Sequence, residues 1–253
     1  MSRLHRRLVH SLIAGIVRGE HAPGELLPGE AALAEDFDVS RGVARECVRS
    51  LEERGLVTVK HGRGATVMPD GEWDVLSTDV LSALLDSHRG PEVLNDFLEC
   101  RRILEIEAAE LAASRVTAEG LARLDHALVD MTASARRAPG DAAAEDAYHA
   151  ADIAFHQAVI AATGNRALAR MTQPVHRALA QARRPLARPQ YRLDRSIPEH
   201  QLILGAIAAR DPHGAREAMR AHLMTVEHYL REYAQALAGA APATDQTPSV
   251  PLR

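Results

Sequence analysis

The 253-residue sequence has few aromatic side chains: three Phe, one Trp and four Tyr. Any large core must therefore be aliphatic. It has two cysteines, Cys47 and Cys100. Two thiols cannot build a disulfide framework, which points to a reducing compartment and an expected cytoplasmic location. No run approaches the roughly 18 apolar residues of a membrane span, so no membrane partner is expected. The N-terminus sets positive charges before an apolar stretch, as signal peptides do. But His10, Ser11 and Gly15 interrupt that stretch, and no small-residue cleavage site follows Arg18. Leu4, Leu8, Leu12 and Ile16 recur there every four residues, the spacing of one helical face. The chain also lacks an excess of positive charge: its formal net charge of −4 excludes a basic nucleic-acid coat. Lys60 is the one lysine among 30 basic residues. Together with the abundant alanine this reads as GC-rich codon bias, so the arginine count itself carries little functional weight.

What is present is ordinary for a globular protein, 46% hydrophobic and 25% charged. The length suits two domains of roughly 100–200 residues each. Residues 1–69 hold ten basic and nine acidic side chains, whereas the remainder is net acidic. After the first helical pattern, a turn-rich stretch at 22–29 leads to two short helical patterns. Two β-rich runs, 56–60 and 65–68, then flank His61-Gly62-Arg63-Gly64 and read as a hairpin. Residues 70–75 read as a linker. From 76 to 237 the pattern is helical, with helices expected at 76–87, 92–114, 118–137, 143–162, 166–185, 196–209 and 212–236. Pro174 should kink or interrupt one of them. These helices make an antiparallel bundle. The Ala/Pro/Thr/Ser-rich tail 238–253 is expected to be disordered.

Residues 30–54 carry the first functional signal. A short helix near 30–37 should face Leu33 and Phe37 inward. Asp38-Val39 makes a tight turn, and Ser40 is suited to cap the next helix. On that helix Ala44, Cys47, Val48 and Leu51 share one arc, while Arg41, Arg45 and Arg49 form a stripe on an adjacent, outward arc. Arginine can bind phosphate or read guanine, so the pair of helices suits a major groove; a solvated charged face has the same pattern. Gly62-Arg63-Gly64 would place an arginine on a close-approaching wing. Cys47, on the buried arc, reads as a core residue.

Residues 12–68 closely resemble the winged-helix domain of the GntR family of bacterial transcription regulators. The shared text is Ile16-Val17-Arg18-Gly19, Ala22-Pro23-Gly24-Glu25-Leu26-Leu27-Pro28, Leu33-Ala34, Val39-Ser40-Arg41, Arg45-Glu46, Leu51-Glu52, Gly55-Leu56-Val57 and His61-Gly62-Arg63-Gly64. The resemblance implies operator contacts by Ser40, Arg41, Arg45 and Gly62, with His61 and Arg63 as further wing candidates. Arg49 is either a phosphate contact or part of the solvated face. One departure matters: where the family has Ser-Glu-Arg, this chain has Gly29-Glu30-Ala31, and Ala31 cannot make the family arginine's contact.

Nine of the 13 histidines lie beyond residue 75. Asp152 and His156 are four apart, on one face of a helix, and can grip one ion. His200 and His222 sit on later helices that a bundle can bring to the same core. Spacing alone leaves surface pairs, a structural ion, or hydrolytic metal chemistry open. Residues 76–235 look like the FCD effector domain of the FadR subfamily within the GntR family. The marks are Phe97–Glu105, Asp152-x-x-Phe155-His156, Gly164-Asn165, Glu199-His200 and Ala221-His222-Leu223. This resemblance implies that Asp152, His156, His200 and His222 ligate a divalent ion: Zn, Ni, Mn or Fe. It also implies that Arg101 pairs with a small carboxylate effector, although Arg101 can instead pair with Glu105 four residues on. Asn165 is a candidate for lining the effector pocket or for capping a helix, and His176 for facing the cavity.

The expected fold is therefore mainly α: an N-terminal winged helix-turn-helix with a small β-hairpin wing and a C-terminal antiparallel all-α bundle. The expected function is that of a repressor, not an enzyme. Two copies forming a homodimer would read double-stranded operator DNA as an inverted repeat.

Overall fold

A computed structural model describes residues 3–60, 62–137, 141–186 and 190–240. Helices α1 (Arg3–Arg18), α2 (Glu30–Asp36) and α3 (Arg41–Glu52) precede strands β1 (Val57–Lys60) and β2 (Gly64–Val67). A 3-10 turn follows at Asp70–Glu72, then α4 (Thr78–Leu85), α5 (Gly90–Arg115), α6 (Ala118–Ala135) and α7 (Ala142–Ala162). The last helices are α8 (Arg166–Leu186), α9 (Gln190–Ala208) and α10 (Pro212–Ala240). No helix among the described residues is long and apolar enough to cross a membrane.

The N-terminal unit follows from local chemistry. In α1, Leu8, Leu12 and Ile16 are buried together with Val9, Ile13 and Val17, but Leu4 lies at the exposed end of the stripe. Leu33 is buried on α2, whereas Phe37 is not the core residue its spacing predicts: it is 36% exposed. Phe37 is already the C-cap, where the chain leaves helical phase, and Ala34 is buried beside Leu33. Asp38 takes φ 50° in the tight turn. Ser40 Oγ then accepts from the Val43 amide at 3.3 Å and starts α3. Ala44, Cys47, Val48 and Leu51 form the buried arc of α3. Burial raises the Cys47 thiol pKa to about 12, against a smaller lowering by Arg54, so the thiol stays protonated.

The hairpin pairs Val57 with Val67 and Lys60 with Gly64. Leu27 donates its amide to Ala65 O and Val67 donates to Glu25 O, so the turn-rich stretch lies along the second strand. Residues 70–75 are more than a tether. Trp73 is buried, and its indole N–H donates to Met68 O at 3.0 Å.

One apolar core takes residues from α1–α3, the hairpin, Trp73, α4 and the first half of α5, and also Val175 of α8 and Leu230 of α10. The winged domain and the bundle thus share packing through α4. A second core joins the later part of α5 to α6, α7, α9 and α10. One helix runs on where Pro174 predicts a kink or interruption, and another starts before the 196 expected for it. Helix α8 passes through Pro174, flanked by buried Thr172, Val175 and His176, and α9 begins at Gln190 and passes through Pro198. Tertiary packing on both sides of each proline outweighs the missing backbone hydrogen bond. Helix α10 extends to Ala240, past the boundary expected at 237. The tail from 241 and His61 lie outside the described residues.

Gly55 closes α3 against the 3-10 turn at φ +71°, and a Cβ there would overlap the Glu72 carbonyl. Gly55→Ala is expected to destabilise the protein by at least ~2 kcal/mol, combining left-handed strain with overpacking. Thermal or urea unfolding measures it, and an unchanged midpoint would contradict this account of the junction.

Candidate functional site

Helix α7 carries Asp152 and His156 one turn apart; α9 carries His200 and α10 carries His222. One ligand-type atom from each lies within 4.8 Å of the others, and all four side chains are buried. The rings pack directly on one another. His156 and His222 stack at 5.3 Å, and Phe155 meets His200 edge-on at 4.8 Å.

Each imidazole has an oxygen beside Nδ1 outside the cluster, in a hydrogen bond for His200 and His222 and in a close ion-pair contact for His156. His156 Nδ1 lies 2.7 Å from Glu105 Oε2. His200 Nδ1 lies 2.7 Å from the Ser196 carbonyl, and His222 Nδ1 lies 2.8 Å from Glu199 Oε2. A proton on each Nδ1 leaves the Nε2 lone pair facing inward. All three Nε2 atoms are buried without a hydrogen-bond partner among the described residues. Buried polar atoms are rarely left so, and three converging beside a carboxylate fit a cation. His200 Nε2 is 3.3 Å from Asp152 Oδ1. Burial lowers the His156 pKa to about 4, helped by Arg101 and opposed by Glu105 and Asp152. Burial also holds His222 well below the usual histidine value, with His200, His156 and Arg101 adding to the effect. Both rings are neutral at pH 7, as metal ligands must be.

Glu105 on α5 is the residue that sequence reasoning underrated. Its Oε1 accepts from Arg101 Nε at 3.0 Å and lies 2.9 Å from His176 Nε2 on α8, while Oε2 faces His156. Burial favours its protonation, but the charge of Arg101 and the contacts with His156 and His176 outweigh this and hold its pKa well below the carboxylate range. Arg101 and Glu105 are 2% and 1% exposed. The i,i+4 pair foreseen in the sequence is therefore present. Yet Arg101 Nη1 is also buried without a partner among the described residues. Glu199 and Ser196 were also missed as supports. Their one signal was proximity to His200.

Asn165 is not a pocket residue. It is exposed, and its Oδ1 accepts from the Ala167 and Leu168 amides at 3.1 Å each, the cap of α8. His228, His126 and His213 are exposed.

On the winged domain, Arg41, Arg45 and Arg49 are exposed along α3. Arg45 pairs with Glu30 at 3.1 Å and Arg49 with Glu53 at 3.2 Å. Gly62, at φ +75°, and Arg63 are exposed at the tip of the hairpin. That backbone conformation favours glycine.

Removing the carboxylate that joins Arg101, His156 and His176 would strand a buried guanidinium. Glu105→Ala is expected to lower unfolding free energy by ~3–5 kcal/mol. Urea denaturation measures this, and a loss under about 1 kcal/mol would show that water or relaxation replaces Glu105.

Comparison with known proteins places this geometry. The model of the gntR family of bacterial regulatory proteins matches residues 4–67, and that of the FCD domain matches 96–225. The galactonate operon transcriptional repressor of Escherichia coli K12 is 31% identical over 89% of this chain and 96% of its own length. The HTH-type transcriptional regulator LutR of Bacillus subtilis is 35% identical over 86% of this chain and 97% of its own. Among solved structures, Streptococcus agalactiae GntR aligns with a TM-score of 0.51 at 26% identity, over 88% of this chain and 99% of that one. The chain belongs to the gntR family of bacterial DNA-binding transcriptional regulators, with an FCD domain after its winged helix, and is not an enzyme.

Proposed function

We propose that this regulator is a homodimeric repressor whose operator binding responds to a small carboxylate held beside a divalent ion in the bundle. The observation that carries this reading is the convergence of four unsatisfied nitrogens: Nε2 of His156, His200 and His222, with Arg101 Nη1 nearby in the same buried cluster. Asp152, His156, His200 and His222 would hold the ion. Neutral imidazoles and one carboxylate suit Zn, Ni, Mn or Fe without choosing among them. Bound there, the ion supplies a Lewis-acid centre for an acidic ligand. Arg101 offers a guanidinium to that ligand's carboxylate, a well-matched fork. His176, through Glu105, helps to orient Arg101 and His156. The galactonate operon relative directs the search toward sugar acids and other hydroxy acids.

At the other end of the molecule, Ser40, Arg41, Arg45, Gly62 and Arg63 form the proposed operator surface, with Arg49 and His61 as secondary contacts. Protein two-fold symmetry requires an inverted repeat, and the family resemblance suggests half-sites with GT and AC cores. Such a protein works in the cytoplasm on its own chromosome. The effector shifts operator affinity only through different affinities for the DNA-bound and free arrangements.

The decisive assay is a gel shift on the gene's own upstream region, repeated with galactonate and other hydroxy carboxylates, with and without chelator. Release of DNA by one of them only in metal-loaded protein supports the whole reading. Release that survives chelation removes the ion from it. Arg45→Ala is expected to weaken operator binding by ~1–3 kcal/mol if that side chain reads a base, and unchanged binding would remove Arg45 from the interface. The double variant His156→Ala/His222→Ala is expected to lose stoichiometric metal. One ion per chain by elemental analysis would overturn the ligand set.

A further inference from the structure

A second concavity lies away from the histidine cluster, at the seam between the winged domain and the bundle. Its volume is about 410 Å³, and its walls include His5, Arg6, Arg7 and His10 of α1, Arg54 past the end of α3 and Asp79 of α4. Three guanidiniums and two imidazoles thus share the cleft with one carboxylate. The sequence of α1 contains no acidic residue to offset its own charges. Arg6 and Arg7 stand four and three residues before His10, so these side chains are neighbours on the helix surface.

Arg54 gives the cleft a fixed floor. Its side chain is 20% exposed. Nη1 donates to the Ser50 carbonyl at 2.7 Å and Nη2 to Asp79 Oδ2 at 2.9 Å. Nε is buried without a hydrogen-bond partner among the described residues. Held at Nη1 and Nη2, this guanidinium brings a fixed positive charge to the wall of the cleft.

We infer that this cleft binds the phosphate group of a small phosphorylated metabolite. Charge favours phosphate over a single carboxylate. The three arginines outnumber Asp79 by two charges, and a phosphate monoester carries about −1.5 to −2 at neutral pH. Size agrees, since small-molecule sites occupy roughly 300–1,000 Å³. Position separates the cleft from the operator surface. Arg54 follows the C-terminal end of α3, about 20 Å along the helix direction from Ser40 at 1.5 Å per residue. Its partner Asp79 belongs to α4, which packs toward the bundle helices α5 and α8. The ligand would therefore touch the winged domain and α4 at once.

Microcalorimetry at constant ionic strength, with glycerol 3-phosphate and inorganic phosphate as probes, tests this on the full chain. Arg6 and Arg7 are exposed, so Arg6→Ser/Arg7→Ser removes two of the three guanidiniums without touching the core. The expected result is saturable binding of glycerol 3-phosphate, one per chain, weakened at least tenfold in the double variant. No saturable binding of either probe overturns the proposal. So does equal affinity in the double variant, which would place the phosphate elsewhere, the histidine cluster included. A gel shift without added phosphate separates the remaining source of phosphate. If the double variant loses tenfold or more in operator affinity, these arginines serve the DNA backbone and the proposal fails. Unchanged operator affinity supports it.

Discussion

One buried carboxylate organises the bundle. Glu105 sits on α5 at the meeting point of α7 and α8, with Arg101, His156 and His176 around it. A charge so deeply buried is costly to desolvate, and only several simultaneous partners offset that cost. Once they are in place they fix more than themselves. Glu105 turns His156 so that Nε2 faces Asp152, His200 and His222. It also holds Arg101 by Nε, which leaves Nη1 for something else. Glu105 thus orients one ring of the cluster from outside it, as Ser196 and Glu199 do for His200 and His222.

The same economy of placement runs through the two cores. Adjacent residues of α8 divide their roles: Val175 packs in the core shared with the winged domain, while His176 reaches Glu105. Helix α4 has a corresponding double role, with apolar residues in the shared core and Asp79 at the charged seam. Few aromatic side chains take part: Phe97 in the first core, Tyr148 and Phe155 in the second. Leu, Ile, Val and Ala interdigitate across helices, and Trp73 is kept for the junction.

How much of this was legible in the sequence depended on range. Contacts within one or two helical turns were readable: the Ser40 cap, the buried arc of α3, the hairpin around Gly62, and Asp152 with His156. Assembly across helices was not. Nothing in the spacing of His200 and His222 selects them over His213 or His228; only the family resemblance did. Glu105 was visible as a partner for Arg101, but its hold on His156 and His176 depends on three helices meeting. Phe37 was misread because a period count continues past a helix end that the backbone does not. Asn165 had two readings, a helix cap and a pocket wall, and its hydrogen bonds are those of the cap. Its local chemistry, directly after Gly164 and before a helix, favoured a cap, and the pocket reading drew on long-range expectation. Pro174 sits inside a helix because burial on both sides can override a local penalty.

The packing of Trp73 and α4 between the two domains has a thermodynamic consequence. A continuous apolar core couples its halves into one cooperative unit, so they melt together instead of as two beads on a string. Any ligand that binds only the folded bundle then stabilises the winged domain as well, by mass action and across a distance. The recognition helix would become harder to unfold when the remote pocket fills, even if no atom of that helix moves.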